Sequence, residues 1–424
     1  MAEKKRQRKL PEGGALTALM IVTWVTYFSL YLGRLNFSAC MSDMIGNGGF
    51  SKAELGIVPA AFFCSYGFGQ FLSGLLGDRL PPKYLVFAGV LCSALINLAF
   101  PFCQAVPLMA AAWFVNGLAQ SLVWAPMARF IADLAPGPQC VRIILVLSTT
   151  SPAGTLCAYG VSAVAIQAGG WRASFFAAAA LLLAVSLFWL SGSLRLGRIA
   201  VARGSWVPLP QSGGGAPAQG SGGLLRMLLP SGMVVLLAGA CLHGTLKDGL
   251  MTWIPTYLTE SFAIAPSFSV ALTTVMPIVN LLGVYLANRW NQRVFRNEAY
   301  TAAGFFACSL ASLLLLVLFG GASLPLSVLL FAVVTSAMTA ANTVFNSILP
   351  LHFRKSGAVS TATGFLNAAT YVGSALASGL FGKTAELWGW GGTQMLWLAL
   401  AAAGCLCALA GKRWAAWRED IYQT

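Results

Sequence analysis

A chain of 424 residues with 58% hydrophobic and only 9% charged side chains is not an ordinary water-soluble domain, in which about a quarter of residues carry charge. Its formal charge of +14 would suit a polyanionic partner, but the basic residues cluster at the ends of apolar stretches, and that pattern excludes nucleic acid. The mean hydropathy of +0.75 leaves a polytopic membrane protein.

A bilayer-spanning helix needs about 20 apolar residues. Such stretches fall near 15–41, 55–77, 83–103, 107–133, 142–168, 172–193, 231–258, 267–288, 299–320, 325–351, 358–381 and 393–411, which predicts twelve helical spans. Lys4, Lys5, Arg6, Arg8 and Lys9 precede span 1; the long apolar run after them lacks a small-residue cleavage site, so span 1 is expected to be retained. Between spans 6 and 7, residues 195–223 turn rich in Gly, Ser, Pro and Gln, the composition of a flexible linker. The expected organisation is a tail (1–14), a six-helix bundle (15–193), a linker (194–229), a second six-helix bundle (230–411) and a tail (412–424), all α-helical.

Charge fixes the orientation. Arg79 and Lys83, Arg129 and Arg142, Arg195 through Arg226, Arg289 through Arg296, Arg354 with Lys355, and Lys412 through Arg418 all fall on the side of the N-terminal tail; only Lys52, Arg172 and Lys383 fall opposite. The positive-inside rule makes both termini cytoplasmic, in a plasma (inner) membrane.

Inside the spans, polar residues are the informative exceptions. Arg34 in span 1 and Lys247 in span 7 stand roughly half a chain apart, and each costs about 2.5–3.5 kcal/mol at a bilayer centre, so each marks a candidate site. Tyr27, Tyr31, Arg34 and Ser38 share one helix face at i, i+4, i+7 and i+11. His243 shares a face with Lys247, whereas Asp248, read as the one carboxylate deep in any span, points about 100° away from Lys247. Thr335, Thr339, Asn342 and Asn346 form a polar stripe on span 10. In lipid such stripes turn inward, either to a ligand or to a neighbouring helix, and both readings stand for His243, Asp248 and the Thr/Asn stripe. Asp78, Arg79, Arg129, Asp133 and Arg142 gather at the cytoplasmic ends and read as a gate network. The ten cysteines show no metal-ligand spacing. No nucleophile–base pair or phosphate-cradling Gly-rich loop occurs outside the spans, so neither cofactor, metal nor enzymatic activity is expected.

The halves repeat weakly. Gly74-Leu-Leu-Gly-Asp78-Arg79 ends span 2 and Gly283-Val-Tyr-Leu-Ala-Asn288-Arg289 ends span 8; Gly169-Gly-Trp171 opens span 6 and Trp388-Gly-Trp390 precedes span 12. The string Gly74…Asp78-Arg79…Lys83 resembles the loop signature of the major facilitator superfamily, with Pro81-Pro82 a departure from it. Within that superfamily the chain resembles the organophosphate:phosphate antiporter family. Four stretches carry the likeness: Tyr31-Leu-Gly-Arg34-Leu-Asn36-Phe-Ser38, Asn116-Gly117 through Gln120 and Trp124-Ala-Pro126, Lys247-Asp-Gly249 through Trp253-Ile-Pro255-Thr-Tyr257, and Gly364-Phe365 through Tyr371-Val-Gly373.

The resemblance implies two pseudo-symmetric six-helix bundles and a phosphate clamp at Arg34 and Lys247, where the glycerol-phosphate branch has Arg at the second position. The branch's helix 2 lysine, four residues after a tyrosine, falls on Gln70 after Tyr66, and its helix 5 histidine has no counterpart here. The expected substrate-binding set is Arg34, Lys247, Tyr27, Tyr31, Tyr66, Gln70, His243, Asn342 and Tyr371. The expected function is antiport of an organic phosphate ester against inorganic phosphate by a monomer working through alternating access. A proton-coupled anion symporter using Asp248 and a non-transporting sugar-phosphate sensor are the alternatives.

Overall fold

The computed structural model describes residues 6–147, 149–203, 205–208, 233–350 and 359–410. Lys4, Lys5, Arg226, Arg354, Lys355, Lys412, Arg413, Arg418 and the linker's glycine runs lie outside the described residues, as do the side chains of Asp78 and Arg79.

Nine stretches among the described residues are long and apolar enough to cross a membrane. Two of them, Pro138–Arg203 and Ala362–Ala410, each hold two helices joined across a tight glycine turn. Together with Lys52–Arg79 they account for the twelve expected spans. The turns are made at Gly170 (φ 69°) and Gly389 (φ 67°), a backbone region that a Cβ disfavours. Both belong to the Gly/Trp repeats that the sequence places before spans 6 and 12. Pro82 opens span 3 behind Pro81, at a first-turn position where a missing N–H costs nothing.

The chain divides into two compact units. One comprises Met1–Phe37 and Ser65–Gly214, the other Ser38–Cys64 and Gly215–Thr424. The hairpin from late span 1 into early span 2 therefore groups with spans 7–12.

Three features differ from the sequence reading. Span 1 is broken, running as Gly14–Ser29 and Leu32–Gly48. Its second part continues past residue 41, so Asp43 is also a carboxylate within a span; it is buried and accepts from Asn47 Nδ2 at 2.7 Å. Span 6 stays helical to Arg203, into the segment expected to be linker, because Leu196 and Ala200 pack into the first unit's core beside Trp189 and Leu134.

The N-terminal tail is likewise built in. Arg6–Lys9 pairs antiparallel with Ser205–Pro208, the only strands among the described residues. Leu10 is 1% exposed and its N–H donates to Leu134 O at 2.8 Å. Lys9 Nζ donates to Ala132 O and, at 3.2 Å, to Asp133 O, capping carbonyls that the end of span 4 leaves without helical partners. Burial pushes the Lys9 ammonium below the ordinary lysine value, against the opposing pull of Asp133.

Candidate functional site

In the first unit, Arg34 follows the break in span 1. A broken helix frees backbone carbonyls, and inside a bilayer only protein can satisfy them. Gln120 Nε2 donates to Leu30 O at 3.3 Å; Asn97 Nδ2 and Asn116 Nδ2 both donate to Gly33 O, at 3.1 and 2.8 Å. These amides are themselves tied. Ser93 Oγ donates to Asn116 Oδ1 at 2.7 Å, Gln120 Nε2 reaches Ser93 Oγ at 3.0 Å, and Asn36 Nδ2 donates to Asn97 Oδ1 at 2.8 Å. All five side chains are buried. Gly33 fits because a Cβ there would run into Leu182 and lie 3.1 Å from Asn97 Nδ2.

The break thus fixes where Arg34 emerges. Its guanidinium lies 4.1 Å above the Tyr31 ring and 5.9 Å from that of Tyr66, both buried. Such contacts are worth about 0.5–2 kcal/mol each and steady the cation without neutralising it. Tyr27 meets Tyr31 edge-on at 6.2 Å and Trp124 at 5.0 Å, and Gln70 sits half-buried one turn beyond Tyr66. Tyr27, Tyr31, Tyr66 and Arg34 are one cluster; the amides behind it were quoted in the sequence as motif residues, and Asn97 and Ser93 were not singled out at all.

In the second unit, spans 7 and 11 approach through two glycines. A Cβ on Gly244 would collide with Thr370 O, and one on Gly373 with Cys241 O. Thr245 Oγ1 donates to Gly373 O at 3.2 Å and Trp253 Nε1 to Ser378 O at 3.0 Å, locking the register. That register brings Ser374 Oγ within 2.6 Å of Asp248 Oδ2, while Asp248 Oδ1 pairs with Lys247 Nζ at 3.0 Å. The two side chains meet although they leave the helix about 100° apart. Helical spacing separates their Cβ atoms, but the four-carbon lysine stem bends the ammonium back to its neighbour. Lys247 keeps 26% of its side-chain surface exposed.

His243 is fully buried. Its ring nitrogens lie 2.9 Å from Ala240 O and 3.1 Å from Asn342 Oδ1, and the ring stacks on Phe345 at 5.8 Å. Asn346 Nδ2 also donates to Asn342 Oδ1, at 2.8 Å, and reaches Thr370 Oγ1 at 3.5 Å. Of the two readings left open, the interhelical one describes the geometry of His243, Asn342 and Asn346, which tie spans 7, 10 and 11 together. Thr335 and Thr339 bond back to their own helix, Thr335 also contacting Met276 Sδ at 3.8 Å. Tyr371 is half-buried and stacks on Phe63 at 6.5 Å.

Of the expected gate residues, Arg129 and Asp133 form a partly exposed intrahelical pair at 3.8 Å, and Arg142 is exposed. A tighter cluster that sequence reasoning missed lies at the start of span 2. Lys52 Nζ pairs with Glu260 Oε2 at 2.6 Å, Trp390 Nε1 donates to the same oxygen at 2.8 Å, and the Ala53 N–H donates to Glu386 at 2.8 Å. The signal was present in Lys52, one of the few cations on the sparsely charged side.

The family model described as Major Facilitator Superfamily matches residues 23–361, most of the chain. The chain belongs to the major facilitator superfamily. It is accordingly a multi-pass membrane protein of the transporter class and not an enzyme. Its superfamily relatives include the "Membrane sensor protein UhpC" of Escherichia coli, 23% identical over 88% of this chain and 87% of the relative. The "Glycerol-3-phosphate transporter" of Bacillus subtilis is also 23% identical, over 88% and 87%. A "Probable hexose phosphate transport protein" of Chlamydia muridarum is 31% identical over 150 residues, 35% of this chain and a stretch covering 33% of the relative's length. These names agree with the organophosphate:phosphate antiporter likeness carried by the four motifs. Among solved structures, a bacterial Spinster homologue superposes with TM-score 0.77 at 13% identity, covering 97% of this chain and all of that one. The nucleoside transporter NupG superposes at TM-score 0.72 and 18% identity, covering 95% of this chain and all of that one. At those identities the likeness shows the major facilitator fold alone.

Proposed function

We propose that this superfamily member carries an organic phosphate ester across the plasma membrane in exchange for inorganic phosphate, with both termini cytoplasmic and the monomer as the working unit. The observation that carries the reading is Arg34: a cation in a span, set at a helix break that four buried side chains from spans 3 and 4 hold open, and flanked by tyrosine rings. That investment in place is what a binding residue needs. The relatives named for glycerol 3-phosphate and hexose phosphate supply the substrate class.

A phosphoryl group carries about −1.5 to −2 near neutral pH, and the in-span cations Arg34 and Lys247 are the residue types that bind such an anion. Anion contacts that form only when the site is filled favour reorientation of the loaded carrier over that of the empty one. Coupling of this kind produces exchange. In proteoliposomes, Arg34→Gln and Lys247→Gln should each abolish exchange of labelled phosphate while preserving protein yield; exchange at the wild-type rate in Arg34→Gln overturns the assignment.

A second reading rests on the sensor relative, which aligns over nearly the same share of the chain as the glycerol 3-phosphate carrier. A sensor binds the ester without counterflow, so binding that persists where exchange is absent would select it.

A further inference from the structure

Asp248 has no part in binding an anion, yet it is held more firmly than the cation beside it. One carboxylate oxygen faces Lys247 Nζ at 3.0 Å and the other accepts from Ser374 Oγ at 2.6 Å. Ser374 is delivered by the glycine-mediated contact of spans 7 and 11, which leaves no slack for the helices to slide apart. The only other titratable side chain within one turn on span 7 is His243, engaged with Ala240 and Asn342. Lys247 is a quarter exposed and Asp248 less so, at 26% and 16%. The ammonium is the more exposed member of the pair.

We propose that Asp248 is an internal counter-ion to Lys247 that tunes anion selection by charge, narrowing the advantage that a doubly charged tetrahedral oxyanion would otherwise have over a singly charged one. The inference rests on the reading of Lys247 as an anion-facing residue. The ammonium has three donors and gives one to Asp248, so an incoming oxyanion shares it instead of displacing the carboxylate. Each negative charge the ligand brings then meets the fixed one beside Lys247, and in a site of low dielectric that repulsion grows in proportion to ligand charge. A dianion meets twice the repulsion from Asp248 that a monoanion does, which subtracts from its twofold stronger attraction to the cation.

Sulfate and phosphate monoesters of the same alcohol are near-isosteric, the sulfate singly charged at all working pH values and the phosphate close to doubly charged at pH 8. The test measures binding of glycerol and glucose phosphates and their sulfate counterparts to the purified full-length protein at pH 8. The phosphate-to-sulfate affinity ratio of the wild type, measured with Asp248 charged, is the reference. In Asp248→Asn the ratio should swing toward phosphate by tenfold or more. Ser374→Ala keeps the charge and loosens the carboxylate, so it should lower thermal stability with the ratio within twofold of wild type; a purely structural role for Asp248 would make the two variants alike. Asp248→Ser removes the same charge, so it should shift the ratio in the same direction, and it carries the test if Asp248→Asn does not accumulate. An unchanged ratio in Asp248→Asn or Asp248→Ser, or a tenfold shift in Ser374→Ala, overturns the proposal alone. Binding of none of the four esters by the wild type overturns the phosphate reading and this proposal with it.

Discussion

Gly373→Ala places a methyl group where spans 7 and 11 meet. The new Cβ would collide with the Cys241 carbonyl oxygen and lie 2.8 Å from Thr245 Oγ1, on backbone and a hydrogen-bonded hydroxyl that have no easy way to yield. Ordinary contact requires the helices to part by about 1 Å. A displacement of that size carries Ser374 Oγ from 2.6 Å to about 3.6 Å from Asp248 Oδ2, past the limit of a hydrogen bond. Overpacking costs about 1–3 kcal/mol and the lost bond to a charged group about 1.5–3 kcal/mol. The sum is a large share of any domain's stability. Gly379→Ala, six residues along the same span, meets nothing within 4 Å and should be neutral or stabilising by up to about 1 kcal/mol, the helix-propensity gain of Ala over Gly. Thermal unfolding of both variants in detergent checks the comparison. Equal melting of Gly373→Ala and wild type, or equal damage at both positions, would refute the glycine-contact argument.

Three further outcomes are expected. Asn116→Leu leaves Ser93 without its acceptor and Gly33 O with one donor of two; it should cost about 1–3 kcal/mol in unfolding assays and raise the half-saturating ligand concentration through misplaced Arg34. Leu10→Ser exposes a side chain now 1% accessible and should cost about 1.5–3 kcal/mol, read by melting and by faster proteolysis of the tail. Lys52→Met removes a partly exposed pair and should change stability by less than about 1 kcal/mol, because Glu260 keeps the Trp390 donor.

The fold was legible because bilayer crossing imposes a length and a composition, and the Gly/Trp repeats marked both turns that hide spans within longer helices. Arg34, Tyr27 and Tyr31 were legible as a group because helical phase and a misplaced charge are both written in order along the chain, whereas Tyr66 entered only through the family resemblance. The support behind them was not. Asn97 and Ser93 look like ordinary small polar residues of span 3 until the carbonyls of a broken span 1 need donors, and a helix break without proline leaves no mark in periodicity. The Lys247–Asp248 contact is legible only through side-chain flexibility, because Cβ direction predicts where a side chain starts, not where a flexible ammonium ends. Asp43 was lost because span 1 was ended where its hydropathy fell, while the helix continues to Gly48.

The central claim is exchange, and counterflow tests it most directly. Proteoliposomes holding the full-length protein are loaded with labelled phosphate and diluted into buffer with or without external glycerol 3-phosphate or glucose 6-phosphate. The account predicts that label leaves only when an external ester or phosphate is present, and that Arg34→Gln abolishes this release. Release at the same rate into ester-free, phosphate-free buffer would contradict it.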